Sequence, residues 1–175
     1  MTLMAGCGNE NRELDRCIQL REKLAVTGCA FCAIVTADFG DSLYTFTLDC
    51  RTDAQGTMTF TVLEPQEIAG IGGTVKAGKG KLEYEDVVLA FPLLAEGELS
   101  PVSIPWVLLS ALRGGNLVSC GKDGEWLLVT LRDSFSENAL ELEVWLNEKD
   151  SPVKADILWK GRRTGSIVVE DFHFV

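Results

Sequence analysis

The chain has 175 residues, 46% of them hydrophobic and 24% charged, with a formal charge of −10. That length suits one domain able to bury its own core. The acidic balance, with Lys and Arg scattered, excludes a surface built for nucleic-acid phosphates. No apolar run approaches the roughly 18 residues of a membrane-spanning helix.

In chain order, Met4-Ala5-Gly6-Cys7 comes first. An apolar residue, two small residues and a cysteine match the end of a bacterial lipoprotein signal peptide, whose cysteine receives the lipid. The expectation is a signal remnant over residues 1–6, lipidated Cys7 with a polar tether over 7–11, and a single domain over 12–175. An acyl chain gains about 0.8 kcal/mol per buried CH₂. An exposed charge near anionic lipid matters by only about 1 kcal/mol, so two or three chains hold an acidic domain at a membrane.

The stretch from Glu10 to Ala25 reads as an amphipathic helix, with Leu14, Cys17, Ile18, Leu20, Leu24 and Ala25 on one side. From Cys29 the apolar period changes to two, the signature of a half-buried strand. Strands are expected at 29–39, 42–50 and 57–63; in the last two, Tyr44, Phe46, Leu48 and Cys50 share one face, as do Met58, Phe60 and Val62. A short strand at 74–77 and a single longer one at 81–90 follow, then a proline-containing loop over 91–103. Pro105 opens a second helix, 106–112, apolar nearly all round and therefore buried. The remainder predicts strands at 117–120, 125–132, 139–147, 153–160 and 165–175. Consecutive strands without intervening helices argue for an antiparallel meander. The fold class is α+β: a strongly curved antiparallel sheet, a half-open barrel, covered by an N-terminal and a central helix.

Residues with chemical potential do not assemble into a catalytic pattern. Gly73 to Lys79 satisfies the GxxxxGK half of a phosphate loop, but Gly80 follows where Ser or Thr is needed, and the context is strand-like. Cys29-Ala30-Phe31-Cys32 is a CxxC at a strand start, where no helix N-terminus lowers a thiol pKa. His173, the single histidine, shares a strand face with Asp171 at the chain end. A catalytic triad needs more. The expectation is no enzyme, no cofactor and no metal. Beyond Cys7, five cysteines remain, an odd number. A Cys29–Cys50 or Cys32–Cys50 cross-strand bridge stays open. Phe46, Phe60, Val62, Phe91, Trp106 and Leu109 are candidates for an apolar ligand pocket, or else for ordinary core; Trp126, Trp145 and Trp159 pose the same choice.

This order of elements resembles the LolA/LolB-like bacterial lipoprotein-carrier fold. The segments that carry the likeness are the N-terminal helix after the lipid cysteine, the run Thr57 to Pro65, Ile68-Ala69-Gly70-Ile71, the helix from Pro105, and the closing strand Ile167 to Phe172. The resemblance implies a half-open barrel capped by helices and holding acyl chains. It implies an extracytoplasmic lipoprotein on the bacterial cell membrane, with a lipid or acyl chain as partner in the concave face and no nucleic acid. The rival is a non-catalytic module for a protein partner at the cell envelope, favoured if the helix fills the barrel.

Overall fold

The structure, a computed structural model, describes residues 8–84, 87–92, 94–95 and 98–175, with side chains for 12–83, 88–90 and 99–175. Residues 1–6, expected as a signal remnant, and Cys7 lie outside the described residues.

Helix α1 spans Gly8–Val26, so residues 8–11, expected as a tether, form its first turn. Its buried stripe is Glu13, Cys17, Leu20 and Leu24, spaced four, three and four. The stripe is narrower than the sequence pattern suggests, because the helix rests on α2 (Ile104–Gly114) and the strand after it. Leu14 and Ile18 fall outside that line and are 37% and 44% exposed.

Two antiparallel meanders build the sheet. The first runs β1 (Cys29–Asp38), β2 (Leu43–Thr52), β3 (Met58–Glu64), β4 (Gly72–Lys76), β5 (Lys79–Tyr84) and β6 (Val87–Pro92). A two-stranded flap, β7 (Leu94–Ala95) and β8 (Glu98–Leu99), leads into α2. The second meander runs β9 (Asn116–Asp123), β10 (Trp126–Arg132), β11 (Leu140–Leu146), β12 (Pro152–Trp159) and β13 (Arg162–Phe174). Among the described residues, eleven strands form one sheet in the order β6-β5-β4-β3-β2-β1-β13-β12-β11-β10-β9. The meanders meet only at the seam β1–β13, from Cys29 opposite Phe174 to Ala37 opposite Gly165. Strands β6 and β9 are the two ends, so the barrel stays open. The fold class expected from the sequence is the one observed.

Period-two patterning sets the faces. Phe31, Ala33 and Val35 of β1, Leu48 and Cys50 of β2, and Met58, Phe60 and Val62 of β3 are buried on the inner face. So are Leu127, Val129 and Leu131 of β10 and Leu140, Leu142 and Val144 of β11. Tyr44 departs from the expectation: it is 47% exposed and packs on Phe39, ring centroids 5.3 Å apart. The alternating run of β2 extends past the edge of the core there. The expected single strand over 81–90 is two strands paired as a hairpin, with Tyr84 opposite Val87. The run carries no Gly, Pro or Asn to mark a turn, so its period shows no break. Residues 91–92, expected as loop, belong to β6.

The GxxxxGK stretch lies in the β4–β5 hairpin. Ala77 and Gly78 both have positive φ, 47° and 75°, between paired Lys76 and Lys79. That is the backbone of a two-residue type I′ turn. A strand follows it, so the helix N-terminus of a phosphate loop is missing.

Candidate functional site

Helix α2 organises the inner face. Ile104, Pro105, Val107, Leu108, Leu109, Ala111 and Leu112 are buried against the sheet and α1. One stripe, Trp106, Ser110 and Arg113, at spacings of four and three, is only part-buried and faces away from the sheet centre. Trp106 Nε1 donates to the Gly56 carbonyl at 3.0 Å, and Arg113 Nη2 donates to the Ala54 carbonyl. The β2–β3 loop therefore fixes both side chains.

Two depressions flank this stripe. The first has a volume of about 440 Å³ and is walled by Leu99, Trp106, Val107, Ala111 and Leu140, with Ser110 and Asp133 as its polar contributors. Asp133 is already engaged, its Oδ1 accepting from the Leu140 amide at 2.9 Å. The second, about 400 Å³, shares Trp106 and Ser110 and adds Ala25, Gly56, Lys76 and Arg113. A cleft of several hundred Å³ with apolar walls and few polar groups is the usual form of a small-molecule site. A cleft of that form orients a ligand by shape and gains affinity from desolvation.

The six residues singled out from the sequence divide as follows. Trp106 borders both depressions. Phe60, Val62 and Leu109 lie in the packed core at 3%, 1% and 3% exposure, and Phe46 packs half-buried at its margin. Phe91 is on β6 opposite Gly80; its side chain lies outside the described residues. Trp126 and Trp145 project from the outer face, where Lys154 Nζ lies 4.8 and 4.1 Å from their ring centroids, and Trp159 packs against the core. Sequence reasoning does not pick out Leu99, Ser110, Ala111 and Leu140. The signal that could find them is the less apolar line Trp106–Ser110–Arg113 on an otherwise apolar helix.

The remaining chemistry-bearing residues stay apart. Among the described residues, no three His, Cys, Asp or Glu side chains gather as a metal site. His173 Nδ1 hydrogen-bonds the Asp171 carbonyl at 2.7 Å. Asp171 adopts φ 54° where the β1–β13 register shifts, so a bulge interrupts the alternation around it. Burial pushes the Cys29 thiol up, and burial followed by the Glu170 carboxylate does the same to Cys32. Both effects oppose the thiolate that a redox CxxC requires. The described cysteines are thiols rather than disulfides. Cys50 faces Phe31 across the ladder, Cys29 faces Thr52, and Cys32 lies on the opposite face. Cys29 and Cys50 are thus a diagonal pair, roughly 7–8 Å apart in such a ladder, beyond the reach of about 6.8 Å for a disulfide.

No family model matches the chain, and no curated protein matches it in sequence. Solved structures do. An uncharacterized conserved protein from Thermus thermophilus aligns over 93% of this chain and 87% of its own, at 12% identity and a TM-score of 0.52. A DUF1329 family protein from Desulfovibrio piger aligns over 94% of this chain and 92% of its own, at 9% identity and a TM-score of 0.50. A LolA superfamily protein from Nitrosomonas europaea is also similar, over 94% of this chain and 91% of its own, at 8% identity and a TM-score of 0.44. At such identities the likeness is one of fold: nearly the whole chain follows the path of the Thermus thermophilus and Desulfovibrio piger proteins.

Proposed function

We propose that the chain is a membrane-anchored bacterial lipoprotein that binds a lipid-like, apolar ligand in the cleft beside α2. The observation that carries this is the cleft of about 440 Å³ that α2 leaves open, with Leu99, Trp106, Val107, Ala111 and Leu140 as its walls. Each CH₂ taken from water into such walls contributes about 0.8 kcal/mol. Association costs about 4–15 kcal/mol in lost freedom. A single chain in this cleft is therefore held reversibly, which suits a carrier. The anchor is Cys7. With α1 starting at Gly8, lipidation there would place the first turn of the domain at the bilayer, outside the cytoplasm.

Ser110→Phe tests the cleft directly. Ser110 is part-buried and borders both depressions, so a phenyl ring there occupies ligand space without entering the core. A fluorescent fatty-acid analogue is expected to lose at least about tenfold in affinity, or about 1.4 kcal/mol. Unfolding free energy is expected to stay within about 0.5 kcal/mol of the parent. Equal binding by parent and variant rejects the cleft as the site. Native mass spectrometry of protein from cell envelopes, with no lipid retained, together with no saturable binding of the analogue, leaves the rival: a packed module for a protein partner.

A further inference from the structure

Cys17 of α1 and Cys120 of β9 differ from the other described cysteines. Cys29 Sγ lies 3.1 Å from Thr52 Oγ1, and Cys50 Sγ donates to the Leu48 carbonyl at 3.9 Å. Cys17 and Cys120 come together from elements about a hundred residues apart in sequence: Cys17 lines a narrow gap with Leu117 and Val129, and Cys120 stands opposite Val129 in the β9–β10 ladder. Cys17 is buried on the stripe that seats α1, beside Leu112 of α2 and Leu117 of β9. Cys120 is half-buried on the edge strand β9, on the face it shares with buried Val129. One of the two cysteines is therefore part-exposed at the sheet edge, and the other is buried on the inner side of α1.

We propose that Cys17 and Cys120 are a disulfide-forming pair that fastens α1 to the edge strand β9. The oxidant is a disulfide, either a low-molecular-weight one or a disulfide-donor protein. The Cys120 thiolate attacks one of its sulfurs, and the first oxidant thiol leaves. The Cys17 thiolate then attacks Cys120 Sγ, and the second oxidant thiol leaves. One Cys17–Cys120 bond forms, the oxidant S–S bond is lost, and the two cysteine protons end on the two released thiols. The order follows from the surroundings. Burial pushes the Cys17 thiol up to about 12, with the charge and hydrogen bond of Cys120 adding to it and Arg16 opposing. Such a thiol is a poor first attacker. Once Cys120 is in a mixed disulfide its charge is gone, and that part of the rise goes with it.

The bond would add a covalent link to the polar contacts that hold α1. Arg16 pairs with Asp150 at 2.6 Å, and Arg21 donates to the Gly115 carbonyl. Helix α1 in turn packs on α2, the wall of the cleft. A natural supply of oxidant rests on the extracytoplasmic location proposed above. The test brings its own oxidant, so its failure leaves the lipid-binding proposal untouched.

The full chain, reduced and then incubated with oxidised glutathione, is alkylated, digested without reductant and mapped. The expected product is one cross-linked peptide pair joining Cys17 to Cys120. Its formation raises the thermal midpoint by roughly 5–15 °C over the reduced protein. Cys120→Ser shows no such rise, and Cys17→Ala accumulates a glutathione adduct on Cys120. The proposal is overturned if Cys17 is alkylated while Cys120 carries glutathione in the parent protein, if Cys17 joins a different cysteine, or if neither thiol reacts.

Discussion

Leu108→Ala is expected to cost about 2–5 kcal/mol of unfolding free energy. Leu108 is fully buried at the centre of α2. The helix has packed neighbours on several sides: β1, β10 and β13 beneath it and α1 beside it. Walls made by four elements cannot all close on a missing isopropyl group, so most of the void remains, and the upper half of the range applies. Urea unfolding reads the effect as a lower midpoint at constant slope, because slope follows the area exposed. Val118→Ala is the control: Val118 is 53% exposed on β9 and its loss is expected to stay within about 0.5 kcal/mol. Similar costs at the two positions would show that α2 is not seated as described. The cleft would then lose its wall, and ligand binding its basis.

Gly73→Ala is expected to destabilise by about 1–3 kcal/mol, although alanine is usually benign in a strand. A Cβ at Gly73 would lie 2.6 Å from the Lys81 carbonyl oxygen and 2.7 Å from Cε1 of Phe60. The Phe60 ring covers this glycine from the neighbouring strand, directly across the ladder. The carbonyl belongs to backbone, and β4 is bonded on both sides, to β3 and β5. The ring is 3% exposed and has no room to retreat. Removing the ring should relieve the clash. Phe60→Leu combined with Gly73→Ala is expected to cost less than the sum of the two changes, with a coupling of about 0.5–3 kcal/mol. Strict additivity of the two would contradict the close approach.

Strand positions were legible wherever alternation was clean, as from Leu140 to Leu146, because one face is core and the other is water. The central helix was legible from its apolar girth after Pro105. The hairpin within 79–92 was not, since the sequence between its two strands, Glu85-Asp86, has no Gly, Pro or Asn to break the period. The extent of the α1 stripe was not either: Leu14 and Ile18 fit the helical period, and only the line of contact with α2 and β9 shows that they face outward. For the cleft, the sequence names aromatics but not which of them end up enclosed. Phe60 and Val62 are equally apolar beside a pocket or inside a core. Enclosure depends on how far α2 sits from Leu99 and Leu140, a distance no local pattern encodes. The Cys17–Cys120 contact was hidden for a related reason: spacing along the chain says nothing about a helix laid over a distant edge strand.

The seam between β1 and β13 has a kinetic consequence. Each meander is made of neighbours in sequence, so its hairpins close small loops and can form early. The seam joins Cys29 to Phe174, nearly the two ends of the chain, and must meet the largest loop-closure entropy in the molecule. Non-local pairings of this kind slow folding. Until it closes, β1 and β13 each present an unpaired edge, so two half-sheets with exposed inner faces are the species most exposed to aggregation during refolding.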